Sequence, residues 1–101
     1  MKIAYHGYAK GHRVTVESMY EVTPLRHHVR HSPDGFCWGY GGSGPAELAR
    51  CLLMDFLGTE PKEYLYQDFK SQVIANLPMD QNWTLTYDQV QEWFNNQEAP
   101  F

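Results

Sequence analysis

The sequence predicts a single α+β domain, in which a small antiparallel sheet from the N-terminal half packs against three helices from the C-terminal half on one face. Three observations lead to this prediction. Residues 2–8 and 12–22 have the composition and the alternation of β-strands. From residue 45 onward the apolar residues recur at helical spacing. Strands and helices are segregated along the chain, which favours an α+β over an α/β arrangement.

The predicted sheet begins with a hairpin, because Gly11 separates the first two strand-like segments. Residues 24–31 alternate again and are interpreted as a further strand. Its two faces would carry Leu25, His27 and Val29 on one side, and Arg26, His28 and Arg30 on the other. The turn sequence SPDG follows at 32–35, and FCWGY at 36–40 is predicted as a short aromatic strand.

Two helices are predicted next. Pro45 suits the first position of a helix, and residues 46–57 are apolar on nearly every face, as expected of a buried central helix. Gly58 would end that helix in the left-handed conformation. A second helix is predicted from residue 61 to residue 77, where Pro78 stops it.

The third predicted helix has the clearest start signal. Thr86 is placed to be its N-cap and Gln89 to complete a capping box, while Leu85 can pack against Val90 as a hydrophobic staple. Residues 97–101 are expected to fray.

Charge is distributed unevenly over a chain whose net charge is −4. Residues 1–45 carry five Lys and Arg against three Asp and Glu, together with all five histidines. Residues 46–101 carry three basic against nine acidic residues. The acidic balance argues against a general DNA-binding protein, which needs a large basic surface. A basic patch on an acidic body suits a small anionic ligand or an acidic partner.

The sequence also predicts a cytoplasmic protein. No run approaches the roughly 18 apolar residues of a membrane span, and the first residues lack the apolar stretch of a signal peptide. Cys37 and Cys51 are therefore expected to be reduced and buried. A domain of this size buries a limited share of its surface, so a homo-oligomer would add stability.

Four glycines between residues 39 and 44 immediately precede the first predicted helix. The stretch GYGGSGP matches neither a Walker A loop nor a dinucleotide-binding fingerprint. A glycine-rich turn before a helix can still present backbone N–H groups to an anion, here at Gly41, Gly42, Ser43 and Gly44. The alternative is that these glycines only serve turn geometry and close packing.

The basic strand predicted beside this loop supplies candidate ligand-binding side chains. Arg26, His28 and Arg30 would meet the charge of an anion, since arginine presents a planar fork to phosphate or carboxylate. Trp38 and Tyr40 would stack a base or a sugar. The alternatives are that the arginines pair with surface acids and that Trp38 packs in the core.

Signals for catalysis and for metal binding are weak. No cysteine or carboxylate is spaced to complete a zinc site with the histidines, and no serine lies in a nucleophile elbow. We therefore predict no catalytic residue, no metal and no cofactor, and a function in binding.

The block HSPDGFCWGYGGSGPAELA at 31–49 resembles the signature HSPxGFxWGYGGSGPAxLA of a small family of uncharacterised proteins from bacteriophages and bacteria. The stretches YQDFKSQVIANLP and WTLTYDQVQEW are similar to the helical half of that family. The resemblance implies a short, phage-type protein and brings no known activity.

Together these observations favour a non-enzymatic phage-type protein that holds, and by holding sequesters, an anionic nucleotide-like molecule such as a host-defence signal. If it is encoded by a phage, it would act in the host cytoplasm. The alternative is a counter-defence inhibitor that binds a host defence protein through an acidic helical face containing Asp55, Glu60, Glu63 and Asp68. An uncharacterised enzyme is a third possibility.

Overall fold

A computed structural model of the chain describes residues 1–97 and confirms the α+β class. Two single 3-10 turns, Lys10–His12 and Ile74–Asn76, accompany the regular elements. The strands and helices, in chain order, are β1 (Lys2–Tyr8), β2 (Arg13–Ser18), β3 (Val22–Pro24), α1 (Ser43–Leu57), α2 (Glu63–Gln72), β4 (Trp83–Thr86) and α3 (Tyr87–Asn95). None of the helices within residues 1–97 combines the length and the apolar character needed to cross a lipid bilayer.

The four strands form one antiparallel sheet in the order β3-β2-β1-β4. The hairpin predicted at Gly11 joins β1 to β2, and that glycine has φ +79°, in the left-handed region. On the other side of β1 lies β4, a strand that the sequence did not predict. The sheet therefore takes three strands from the N-terminal half of the chain and one from the C-terminal half.

The two faces of the sheet differ in character. Tyr5 lies opposite Val16 on β2 and is fully buried together with Leu48 and Leu52 of α1, so the helices cover this face. On the opposite face His6 bridges three strands: its Nδ1 lies 2.9 Å from Thr84 Oγ1 and its Nε2 lies 2.7 Å from Glu17 Oε1. Cross-strand polar pairs of this kind stabilise a solvent-facing sheet surface.

A β-bulge at the start of β1 changes the direction of one side chain. Lys2 pairs with Ser18 and Ala4 pairs with Glu17, so that Ile3 is an extra residue. Because side chains alternate with a period of two, the extra residue turns Lys2 to the helix-covered face that Tyr5 occupies. Lys2 Nζ there donates to the carbonyl oxygen of Asp55 at 2.6 Å and lies 2.9 Å from its carboxylate.

The predicted strands at 24–31 and 36–40 are wrong. β3 ends at Pro24, and only Leu25 continues its pairing, by donating its N–H to the carbonyl of Val14 at 2.9 Å. From His28 onward the backbone N–H groups of this segment find acceptors on helix α1 instead. The segment 36–40 is irregular, and the backbone N–H of Gly39 donates to the carbonyl of Ile74 at 3.1 Å. Alternating apolar residues fit a strand and also an extended segment that lies against a helix, and only the partner distinguishes the two cases.

The first two helices differ in detail from their predictions. α1 begins at Ser43, two residues before Pro45, and ends as predicted at Gly58, whose N–H donates to the carbonyl of Met54. The second predicted helix is shorter than expected, because α2 ends at Gln72. Val73 leaves the helical conformation (φ −120°, ψ −61°) and a single 3-10 turn follows, consistent with the lower helix propensity of consecutive β-branched residues.

The third helix starts as predicted. The side chain of Thr86 accepts from the backbone N–H of Gln89 at 3.1 Å, and the Gln89 side chain accepts from the N–H of Thr86 at 2.8 Å. The staple between Leu85 and Val90 stays a prediction. Apart from residue 97, the segment expected to fray lies outside the described residues.

We expect Thr86→Ala to lower the free energy of unfolding by about 1 kcal/mol, because it removes the side-chain acceptor of the capping box. Thr86→Ser keeps that acceptor and should stay within about 0.5 kcal/mol of the parent chain. Urea denaturation followed by circular dichroism measures both variants. Equal stabilities of the two variants would contradict the role of the cap.

Candidate functional site

The glycine loop predicted to bind an anion packs against the segment that follows α2. Trp38 is fully buried, its ring meets that of Trp83 edge-on at 5.5 Å, and its Nε1 donates to the carbonyl of Pro78 at 3.0 Å. Gly39 has φ +86°, and a Cβ there would lie 2.7 Å from the Cα of Met79. Trp38 is therefore a core residue, which agrees with the alternative to a stacking role that the sequence left open.

The remaining loop residues form the entry to α1. Gly42 is the N-cap, and its carbonyl accepts from the N–H of Ala46 at 3.0 Å. The ring of Tyr40 lies over Gly42, although 42% of this tyrosine is exposed. Gly44 packs on Cys37, where a Cβ would come within 2.7 Å of the cysteine Cβ. These contacts favour the packing alternative, and a ligand role for Tyr40, Gly41, Gly42, Ser43 and Gly44 stays a prediction.

The strongest polar arrangement in the fold is centred on Glu47, which is fully buried in the N-terminal half of α1. Its carboxylate accepts from three consecutive backbone N–H groups: Arg30 at 2.9 Å, His31 at 3.0 Å and Ser32 at 3.2 Å. His27 Nε2 donates to the same carboxylate at 2.8 Å. Consecutive N–H groups that converge in this way form an anion-binding nest, and here the anion belongs to the chain itself.

Two effects set the acidity of this carboxyl group. Burial by itself raises the pKa of Glu47, but the hydrogen bonds from the backbone of Arg30, His31 and Ser32 and from the His27 ring outweigh it. The pKa of Glu47 is therefore held below its usual value. The group stays charged, and it fixes residues 30–32 against α1.

The structure brings Arg26 and His28 together, and it does so at the far end of α1 from the glycine loop. They line an open groove of about 410 Å³ over the C-terminal half of the helix. The groove is also lined by Lys2, Cys51, Met54, Asp55, Gly58, Thr59 and Glu60. The side chains of Arg26 and His28 form no ion pair or hydrogen bond within residues 1–97.

The two carboxylates of this anion groove, as we call it, are engaged by the protein's own cations. Glu60 Oε1 accepts from Arg50 Nε at 2.8 Å and from Arg30 Nη1 at 3.3 Å. Arg30 is thus paired with a surface acid, as its alternative interpretation proposed. In the lining itself, Lys2 and Arg26 balance the two carboxylates. Arg30 and Arg50 bond Glu60 from outside the lining and give the surroundings of the groove a positive excess.

Asp55 is held from two directions, by Lys2 and by the hydroxyl of Tyr5, which donates to its carboxylate at 2.8 Å. Burial, followed by the charge of Asp55 and the hydrogen bond to it, raises the pKa of Tyr5 well above its usual value. Tyr5 therefore remains a neutral donor, and the charge of the Asp55 carboxylate is compensated by the ammonium group of Lys2.

Two further residues fix the wall of the groove. Arg50, 8% exposed, donates from Nη1 to the carbonyl of His28 at 2.7 Å. The thiol of Cys51 accepts from the N–H of His28 at 3.4 Å, and burial raises the pKa of this thiol. Cys51 is thus held as a neutral structural group. Within residues 1–97 no three metal-ligating side chains are grouped to hold a metal ion.

Sequence reasoning missed most of this groove. Lys2, Arg50 and Cys51 were not assigned to a site, and Asp55 and Glu60 were assigned to an acidic docking face. One signal was available: Glu47, Arg50 and Asp55 interrupt a largely apolar helix, and buried charges require partners.

We expect Gly39→Ala to destabilise the fold by about 1–3 kcal/mol, because the position combines a left-handed φ with a close approach to Met79. Gly41→Ala is the matched control, since its φ is not positive and its new methyl group would meet no neighbouring atom of the described chain within 4 Å. Thermal denaturation measures the stability of the two variants relative to the parent chain. A Gly39→Ala chain as stable as Gly41→Ala would overturn the packing interpretation of the loop.

We expect Glu47→Gln to lower the free energy of unfolding at pH 7 by about 2–3 kcal/mol, since charge-assisted hydrogen bonds are lost. A carboxyl whose folded pKa is depressed stabilises the fold above its unfolded pKa, near 4.5. That contribution should disappear as the pH falls through the folded pKa.

Urea titrations of the parent chain and Glu47→Gln at several pH values measure this effect, with Glu63→Gln on exposed α2 surface as the control. The free energy of unfolding of the parent should exceed that of Glu47→Gln by a constant amount above about pH 5.5. This excess should become smaller below the unfolded pKa. A difference that does not depend on pH would contradict a charged Glu47.

The chain was also compared with known proteins. No curated protein and no solved structure matches it. A family model, the family of unknown function DUF6166, matches residues 5–96 and so covers all three helices, and the sheet and the anion groove apart from the first residues of β1. The resemblance to a family without a known activity is thereby confirmed, and the chain belongs to the DUF6166 family of unknown function.

Proposed function

We propose that this protein is a non-enzymatic binding protein that holds a small anionic, nucleotide-like molecule. The anion groove receives the charged group of that molecule, and Arg26 and His28 are the residues that bind it. The observation that supports this proposal is the pair of basic side chains facing one groove without a partner within residues 1–97.

Charge supports an anion over a neutral or cationic ligand. Glu60 is bonded by two arginines and Asp55 by a lysine and a tyrosine hydroxyl, so both carboxylates are already compensated. Arg26 is exposed and carries a fork of N–H donors suited to a phosphate or carboxylate group. A positive charge left uncompensated at a concave surface favours the binding of an anion.

The resemblance to phage proteins supports a biological setting for this binding. We place the protein in the cytoplasm of an infected host cell, where it sequesters a nucleotide signal of host defence. Sequestration requires the binding of a ligand and no reaction of it. This agrees with the state of the Cys51 thiol in the groove, which is buried and neutral and therefore a poor nucleophile.

The competing proposal, an inhibitor that docks through an acidic helical face, uses Asp55, Glu60, Glu63 and Asp68. Two of these four carboxylates are bonded to cations of the same chain. Only Glu63 and Asp68 form no ion pair within residues 1–97, and this weakens the acidic face as a docking surface.

We expect a nucleotide that binds the groove to raise the melting temperature, with a stabilisation of about 2.7 kcal/mol at 100 times its dissociation constant. Arg26→Ala should weaken binding by about tenfold or more, since a charge-assisted hydrogen bond contributes about 1.5–3 kcal/mol. Thermal shift with a panel of linear and cyclic nucleotides finds the ligand. Titration calorimetry then measures the dissociation constant of that ligand for the parent and for Arg26→Ala.

Lys10→Ala is the matched control, because Lys10 is an exposed cation on the hairpin turn between β1 and β2. Arg26→Ala without ligand should melt as the parent does, since Arg26 is exposed and has no polar partner in the described part of the chain. No stabilisation by any nucleotide, or an equal loss in both variants, would overturn the proposal. Binding of a protein partner that is lost when the carboxylates of the acidic helical face are replaced would instead favour the competing proposal of an inhibitor.

A further inference from the structure

A second cavity lies beside the anion groove and shares one residue with it, Lys2. Its volume is about 620 Å³, within the range of small-molecule sites. It is lined by Met1, Lys2, Ile3, Phe56, Tyr87 and Asp88. The two depressions therefore adjoin at Lys2, with basic residues, Arg26 and His28, in one and aromatic residues, Phe56 and Tyr87, in the other.

The aromatic part is built by two local features of the fold. The rings of Phe56 and Tyr87 lie 4.8 Å apart and are tilted by 41°, and Tyr87 is placed by the capping box that starts α3. The bulge at Ile3 turns Lys2 toward the helices, where Asp55 holds its ammonium group. Ile3 itself is 42% exposed at the rim of the cavity.

The lining of the cavity includes a carboxylate with free hydrogen-bonding capacity. The carboxylate of Asp88 forms no hydrogen bond or ion pair within residues 1–97, and it borders the aromatic wall. An ionised carboxylate only accepts hydrogen bonds, with two oxygens side by side. Of the common bases, guanine presents two adjacent N–H donors on one edge, at N1 and at the N2 amino group, which match such an acceptor pair.

We propose that this cavity, the ring subsite, binds the guanine-type base of the ligand whose anionic group lies in the anion groove. The inference rests on the proposed function and extends it to the class of base. The base stacks on Tyr87 and Phe56, its N–H edge donates to Asp88, and Lys2 lies between the base and the anionic group. Stacking on aromatic side chains contributes affinity to any flat base, so the selectivity for guanine comes from Asp88.

Titration calorimetry with GMP, AMP and ribose 5-phosphate tests this proposal. On the parent chain GMP should bind at least about tenfold more tightly than AMP, and AMP more tightly than ribose 5-phosphate. Asp88→Asn should reduce the ratio of GMP to AMP affinity toward one, because an amide cannot accept two hydrogen bonds through both of its terminal atoms. Ribose 5-phosphate should bind this variant and the parent equally.

Two further variants complete the design. Asp68→Asn, on the exposed surface of α2, is the matched control and should leave all three affinities unchanged. Tyr87→Leu keeps an apolar side chain at the start of α3 and should weaken GMP and AMP equally, without affecting ribose 5-phosphate. Circular dichroism of each variant establishes that it is folded.

The outcomes separate this inference from the proposed function. Binding of ribose 5-phosphate that depends on Arg26, with no preference among the bases, would overturn the ring subsite and leave the anion groove in place. A preference for GMP that depends on Asp88 but not on Arg26 would keep the ring subsite and overturn the anion groove. If none of the three probes binds the parent chain, both proposals are wrong.

Discussion

A single buried carboxylate organises the irregular segment that connects the sheet to the first helix. Glu47 accepts hydrogen bonds from the backbone of residues 30–32 and from the ring of His27. Each buried N–H without a partner would cost about 1–3 kcal/mol, so a stretch that belongs to no helix or strand needs such an acceptor. One helix side chain meets this need for three residues at once. The charge it brings into the core is tolerated because all of its partners are donors.

This anchoring also determines where the basic residues lie. With residues 30–32 fixed, and with Arg50 and Cys51 bonded to the backbone of His28, the side chains of Arg26 and His28 face the C-terminal half of α1. The same helix end carries Asp55, and Glu60 lies just beyond it, where other cations of the chain engage both. Within residues 1–97 the surroundings of the groove are positive because its acids are paired internally and two of its bases are not.

The glycine loop serves the other end of the same helix. Gly39 and Gly44 allow close approaches to Met79 and Cys37, and Trp38 is buried beneath the segment that leads into β4. The loop thereby helps to bring the C-terminal half of the chain back to the sheet, where β4 pairs with β1. That return places Tyr87 and Asp88 beside the bulge at the start of β1, and so it assembles the ring subsite from residues distant in sequence.

The sequence by itself determined the α+β class, the hairpin at Gly11, the end of α1 at Gly58 and the capping box of α3, because each depends on periodicity or on residues a few positions apart. It also singled out Arg26 and His28, but it placed them beside the glycine loop, whereas they lie at the other end of α1. Only the tertiary structure decided that 25–31 is not a strand, that Trp83–Thr86 is one, and that the groove lies over the end of the helix. The physical reason is the distance along the chain. The partners of the backbone of residues 28–32 lie on α1, 15 to 23 positions away, and no local pattern specifies which acceptor a distant N–H group will find.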